Sequence, residues 1–238
     1  MSIAAEPTTA RTRRAPARLW AYLPFVALTI VHVSALAVGD PTVAAPTKLG
    51  LMPLLALGVV VGAWGMRWGA PLTLLVVAIG LSWLGDGAAT FFPFADELAM
   101  MLTCFGLAHV CYIVLFTRFL AQRKLPLWSA VYAVWWIVLV AVLAPAVLSR
   151  DAGVAWLIAI GAYGLLLGFT AASAARATPA VALGGALFLT SDSILAFRIF
   201  TPDAVAAWTH PAVMITYCAG QGLIAAGAVV LLRAREAR

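Results

Sequence analysis

The chain has 238 residues, of which 64% are hydrophobic and 10% charged, with a net charge of +6 and a mean hydropathy of +1.03. Soluble domains are about 45–50% apolar and about 25% charged, so this composition excludes a water-soluble fold and predicts an all-α integral membrane protein. A membrane span takes about 20 apolar residues; roughly eight spans with short connections use up this length and leave no room for a soluble catalytic or nucleotide-binding domain. The basic balance then reports membrane topology, and no nucleic-acid partner is expected.

In chain order, a basic tail over residues 1–18 carries Arg11, Arg13, Arg14 and Arg18. Apolar runs follow at Leu19–Val38, Leu49–Trp64, Pro71–Phe92, Leu98–Leu120, Leu127–Leu148, Val154–Ala174, Ala180–Phe200 and Trp208–Leu232. Pro46, Pro71, Pro93, Pro126, Pro179 and Pro202 read as lying between runs or at their ends, where a missing N–H costs little. The eight runs make one transmembrane domain over 19–232, with a second basic tail at 233–238.

A cytoplasmic N-terminus puts Arg11, Arg13, Arg14, Arg18, Arg67, Arg118, Arg123, Lys124, Arg176, Arg233, Arg235 and Arg238 inside, and only Lys48, Arg150 and Arg198 outside. That asymmetry is a positive-inside signal, and it places both termini in the cytoplasm of a multi-pass cell-membrane protein. Ala35-Leu36-Ala37 resembles a signal-peptide cleavage site, but the run before it is longer than an h-region and contains His32, so a retained first helix is expected. Cys104, Cys111 and Cys218 all lie inside runs with no CxxC spacing, which implies neither a disulfide framework nor a zinc knuckle. No metal and no cofactor are expected.

Ionisable residues inside or at the edges of the spans are His32, Lys48, Asp86, His109, Asp192 and Arg198. A carboxylate near the bilayer centre costs at least about 2.5–3.5 kcal/mol, so Asp86 and Asp192 should face the bundle interior and have partners. Their surroundings match without gaps. Leu81-Ser82-Trp83-Leu84-Gly85-Asp86-Gly87, ending at Phe91, aligns with Leu187-Phe188-Leu189-Thr190-Ser191-Asp192-Ser193, ending at Phe197. The offset of four helices makes both spans cross in the same direction, so the two carboxyls share the outer half of the membrane; it leaves open whether the chain is two four-helix repeats.

Ser82 at i−4 shares a face with Asp86, and Ser191 and Ser193 bracket Asp192. His109 and Tyr112 share a face of the fourth helix, and Tyr217 and Gln221 a face of the eighth. A buried polar pocket, open outward or sideways to lipid, is the economical reading. Against it stand blander roles: hydrogen-bonding glue for Tyr112 and Gln221, an Asp86–Lys48 ion pair, and snorkelling by Lys48 and Arg198 near the outer interface.

Taken together, Lys48 before Leu51-Met52-Pro53-Leu54-Leu55, Ser82-Trp83-Leu84-Gly85-Asp86, Gly106-Leu107-Ala108-His109-Val110-Cys111-Tyr112-Ile113, Gly185 to Ala196 around Thr190-Ser191-Asp192-Ser193, and Thr216-Tyr217 with Gln221 resemble the YhhN, or lysoplasmalogenase-like, membrane family. The resemblance runs from Lys48 to Leu232, with the motifs in order. It departs where the family has a proline directly after the lysine and this chain has Leu49. It implies an eight-helix hydrolase that cleaves the vinyl ether bond of lysoplasmalogens to a fatty aldehyde and a glycerophospho-alcohol, with lysophospholipid and bilayer lipid as partners. At matching positions it implies Lys48, Asp86, His109, Tyr112, Ser191, Asp192, Tyr217 and Gln221 as the site.

The chemistry suits these residues independently of the family. Vinyl ether cleavage protonates the outer alkene carbon, and water captures the resulting oxocarbenium ion as a hemiacetal. That step needs one neutral carboxylic acid and one carboxylate, the division of labour of two-carboxylate glycosidases. Asp86 and Asp192 are expected to share these roles in either order. His109 and Tyr217 would polarise or relay, Ser82 and Ser191 would support the acids, and Lys48 or Arg198 would hold the phosphate. A proton-coupled transporter of lipid or small solute using the same acids is the alternative reading.

Overall fold

A computed structural model describes residues 18–238. Among them the chain forms eight helices of 16 residues or more: α1 (Leu23–Val38), α2 (Pro41–Gly62), α3 (Ala70–Asp86), α4 (Glu97–Val114), α5 (Val131–Leu148), α6 (Gly153–Ala174), α7 (Pro179–Phe200) and α8 (Thr209–Glu236). A 3-10 turn, Leu19–Tyr22, leads into α1, and α4 runs on as a π-helical segment, Leu115–Leu120. Seven of the helices are long and apolar enough to cross a membrane; α3, with 17 residues, is apolar but shorter. Their outward faces carry exposed Ile30, Val134, Ile137, Phe169 and Ile215, as expected of helices set in lipid. The protein is a multi-pass membrane protein.

Two boundaries differ from expectation. The second helix begins at Pro41, not Leu49, so Pro46 lies inside it and Lys48 sits two turns in. Asp40 makes this early start possible: its Oδ1 accepts from Thr42 N (2.9 Å) and Val43 N (3.4 Å), a side-chain N-cap ahead of a proline at the first helical position. The third helix ends at Asp86 instead of running to Phe92. After a break at Gly87 the chain makes one further helical turn, Ala88–Phe91, with the Phe91 ring pressed where a Gly87 Cβ would stand and packed on Trp83 at 4.6 Å.

Pro53 inside α2 removes the N–H that would bond the Leu49 carbonyl. The Trp83 indole of α3 donates to that carbonyl instead, at 2.9 Å. The proline thereby creates an acceptor that ties α2 to α3 beside Lys48.

The helices pair as α1–α2, α3–α4, α5–α6 and α7–α8. The α2–α3 packing has its counterpart in α6–α7, and α2–α8 in α4–α6. This is the pattern two four-helix halves would make, but α1 packs on α8 while α4 and α5 share no comparable contact. Helix α8 is the most buried of the spans and lies against α1, α2, α3 and α7. Glycines set its distance from α7: a Cβ on Gly184 would stand 2.8 Å from the Gly220 carbonyl, and one on Gly220 would stand 2.9 Å from that of Gly184. Backbone meets backbone there.

At one end of the bundle, arginines close the C-terminal helix turns. Arg233 donates to the Gly62 (2.7 Å) and Trp64 (3.0 Å) carbonyls, Arg123 to that of Ala175 (2.9 Å), and Arg235 to those of Phe119 and Ala121. Carbonyls without helical partners and cations satisfy each other. The other end holds the connections at 39–40, 87–96, 149–152 and 201–208, and the site opens there.

Candidate functional site

Both aspartates face one cavity and each has a tyrosine donor. Asp86, the last residue of α3, accepts from Tyr217 Oη of α8 at 2.8 Å through Oδ2. Asp192, in the middle of α7, accepts from Tyr163 Oη of α6 through Oδ2 and from Ser191 Oγ at 3.1 Å through Oδ1. His109 Nε2 lies 3.2 Å from Tyr163 Oη and 3.8 Å from Asp192 Oδ2. The Tyr163 proton is directed to Asp192, so its oxygen accepts from His109 Nε2–H, and the chain His109, Tyr163, Asp192 runs in one direction.

Beneath the acids lies a second, fully buried set. Tyr112 Oη donates to Gln221 Oε1 at 2.5 Å, and Gln221 Nε2 donates to Ser82 Oγ at 3.1 Å. The Phe188 ring stands among Phe105, His109, Tyr112 and Tyr217, with centroids 4.8–6.3 Å apart. This layer joins α3, α4, α7 and α8 and closes the floor. One turn apart on α8, Tyr217 reaches Asp86 while Gln221 ties the floor together, so one helix face serves both layers.

The cavity is about 1050 Å³, the size of a site for a large organic ligand. Its walls run from Gly39, Asp40, Asp96, Glu97 and Arg150 at the mouth to Asp86, Ser191, Asp192 and Tyr217 at the bottom. Lys48, Arg198, His32 and His210 line the cavity as well. The Arg198 Nη1 donates to Thr209 Oγ1 at 2.7 Å, and no carboxylate among the described residues lies within 4 Å of Lys48 or Arg198. An Asp86–Lys48 ion pair is therefore not formed, although Lys48 is near enough to act on Asp86 electrostatically. Behind Asp192 a smaller apolar pocket of about 50 Å³ lies between α4, α5, α6 and α7, lined by Leu139, Ile160, Leu167, Leu195 and Ala196 among others. Asp192 lines both spaces.

Of the residues singled out in the sequence, Lys48, Asp86, Ser191, Asp192, Arg198 and Tyr217 line the cavity. His109 does not; it meets the site through Tyr163 and Asp192. Ser82, Tyr112 and Gln221 lie under the floor, and Ser82 turns to Gln221 although it shares a helix face with Asp86. Ser193 points away, accepting from Trp135 Nε1 at 3.0 Å. Sequence reasoning missed Tyr163, His210 and the wall position of His32. Tyr163 did leave a signal: it is a hydroxyl in the middle of an apolar helix, flanked by Gly161 and Gly164, where a buried polar partner is to be expected.

Comparison with protein-family models matches residues 43–228 to the YhhN family. No curated protein and no solved structure matches the chain.

Proposed function

Since the chain belongs to the YhhN family, we propose that it is a membrane hydrolase that cleaves the vinyl ether bond of lysoplasmalogens, giving a fatty aldehyde and a glycerophospho-alcohol. The observation that carries this reading is the placement of two carboxyls, Asp86 and Asp192, on one cavity with cations that pair with no carboxylate among the described residues and an apolar pocket behind one acid. The family is associated with hydrolase activity, and the site holds what a vinyl ether needs.

The hydrogen-bond inventory divides the roles. Asp192 accepts two hydroxyl donors, which suits a carboxylate that holds water. Asp86 has one, leaving its other oxygen free to carry a proton toward the substrate. In the first step Asp86 gives its proton to the outer alkene carbon, and the positive charge rests on the adjacent carbon and the ether oxygen. Asp192 takes a proton from water as the water oxygen bonds to that carbon. In the second step the hemiacetal O–H returns a proton to Asp86, the C–O bond breaks, and Asp192 protonates the departing glyceryl oxygen. Both acids are restored and one water is consumed. His109 and Tyr163 act as positioning groups for Asp192; Lys48 and Arg198 hold the phosphate.

The cavity mouth lies opposite the arginine-closed helix ends, and the positive-inside rule supports a mouth that opens on the outer side of the membrane. The test is aldehyde release by purified protein from lysoplasmenyl-ethanolamine, with its alkyl-ether analogue as control. Asp86→Asn and Asp192→Asn, still folded, should each lower kcat by at least about a hundredfold, the worth of general acid or base catalysis. Solute movement with no aldehyde from the vinyl ether would overturn the reading in favour of a transporter.

A further inference from the structure

His32 lies upstream of the part of the chain that matches the family, on α1, yet its ring forms part of the cavity wall. It is 2% exposed, and its Nε2 has no hydrogen-bond partner. Its Nδ1 stands 2.9 Å from Thr47 Oγ1. The Thr47 hydroxyl is already donating to the Val43 carbonyl at 2.6 Å, so its oxygen can only accept, and the ring proton sits on Nδ1. The remaining Nε2 presents a lone pair, a buried acceptor that asks for a donor.

Lys48 is the residue after Thr47 and acts electrostatically on His32, as does His210 from α8. A ligand ammonium would be repelled there, whereas a phosphodiester is drawn to Lys48 and Arg198, neither of which has an acid within 4 Å among the described residues. A neutral donor on a ligand whose phosphate is held by these cations would satisfy His32. In a glycerophospholipid held with its phosphate at the cations and its 1-ether at the aspartates, the group between them is the 2-position of glycerol. Buried Ala35 and Ala44 line the same cavity as His32.

We propose that His32 Nε2 accepts a hydrogen bond from the free 2-hydroxyl of a lysophospholipid, so that the cavity selects lipids with one chain over those substituted at the 2-position. The inference rests on the lipid-hydrolase reading of the site but not on the reaction itself. A 2-substituted lipid offers no donor and leaves a buried acceptor unpaired, a loss that sites built around a hydroxyl convert into selectivity.

The experiment is therefore equilibrium binding of two non-hydrolysable lipids to the purified full chain in nanodiscs: 1-O-alkyl-2-hydroxy-glycerophosphocholine and its 2-methoxy counterpart. The wild type should bind the 2-hydroxy lipid at least about tenfold more tightly, the worth of one neutral hydrogen bond. His32→Ala should bind both equally, and His32→Gln, which restores an acceptor, should recover part of the preference. Thr47→Val, which frees the ring proton to move, should weaken it without removing the ring. Equal affinity in the wild type, binding of neither lipid, or a preference unchanged in folded His32→Ala would each overturn the proposal. Should His32→Ala not fold, the wild-type pair and Thr47→Val decide it. Aldehyde release from the vinyl ether is scored separately, so a failed reaction and a failed selectivity are told apart.

Discussion

Tyr163 joins two imperfectly placed groups. His109 is fully buried away from the cavity, and Asp192 lines it; the tyrosine hydroxyl receives from one and gives to the other. Tyr163→Phe keeps the ring packing and removes both bonds. It should lower kcat by about tenfold with KM little changed, the signature of a group that positions the base and does not hold substrate. Lys48→Ala should do the reverse: on the proposed role of Lys48 in holding the phosphate, it should raise KM by about tenfold. Steady-state kinetics on the two variants, with thermal unfolding to show that both are folded, checks the pair. That His109 would lie near the acids could be read from the sequence. That it works through Tyr163 could not, because 54 residues separate them and only the packing of α4 on α6 brings them together.

Helix ends and crossings place the acids more than helix interiors do. Asp86 reaches the cavity because α3 stops at it, and Trp83 one turn before is anchored on the carbonyl that Pro53 leaves free in α2. Trp83→Phe should cost about 1 kcal/mol of stability, seen as a lower unfolding midpoint, since a part-buried carbonyl loses its donor. Gly220→Val should be worse, because a side chain there meets the α7 backbone at 2.9 Å and must part α7 from α8, carrying Tyr217 away from Asp86. The start of α2 is acid-sensitive. The Thr42 hydroxyl and amide hold the Asp40 carboxyl below its ordinary range. The cap is thus complete at neutral pH and above the ordinary carboxylate value, and it is lost as pH falls through the depressed one. Thr42→Val should make the unfolding midpoint less sensitive to pH in that acid window. The helix boundaries at Pro41 and Asp86 were not legible from hydropathy, because a cap, a freed carbonyl and the packing of Phe91 against Gly87 set them.

The bundle has a basic end and a cavity end. Arg233, Arg235, Arg123 and Arg176 bond carbonyls at the first, while Asp40, Asp96, Glu97 and Arg150 rim the second. Both ends were readable as a charge asymmetry in the connections, which follows from the alternation of helices across a membrane. Single cysteines at Arg67 and at Asp203, in a background lacking the three native ones, test the orientation. A membrane-impermeant maleimide should label position 203 in intact cells and position 67 only after permeabilisation; the opposite pattern would invert the topology.

From the chain alone came the membrane class, the helical runs and the two aspartates that had to be buried, because an apolar environment leaves so few charged residues that each stranded one stands out. Lys48 and Arg198 could be nominated by the same filter, Ser191 by its place beside Asp192, and Tyr217 by the helix face it shares with Gln221. Which of these face the cavity, that Ser82, Tyr112 and Gln221 lie under its floor, and that Tyr163 and His32 belong to the site emerged only once the helices were packed. Hydropathy records how far a residue sits from water along its own helix. Its neighbours across the bundle depend on crossing distances, set here by Gly184 against Gly220 and by Pro53 with Trp83, and those are properties of pairs of segments far apart in the chain.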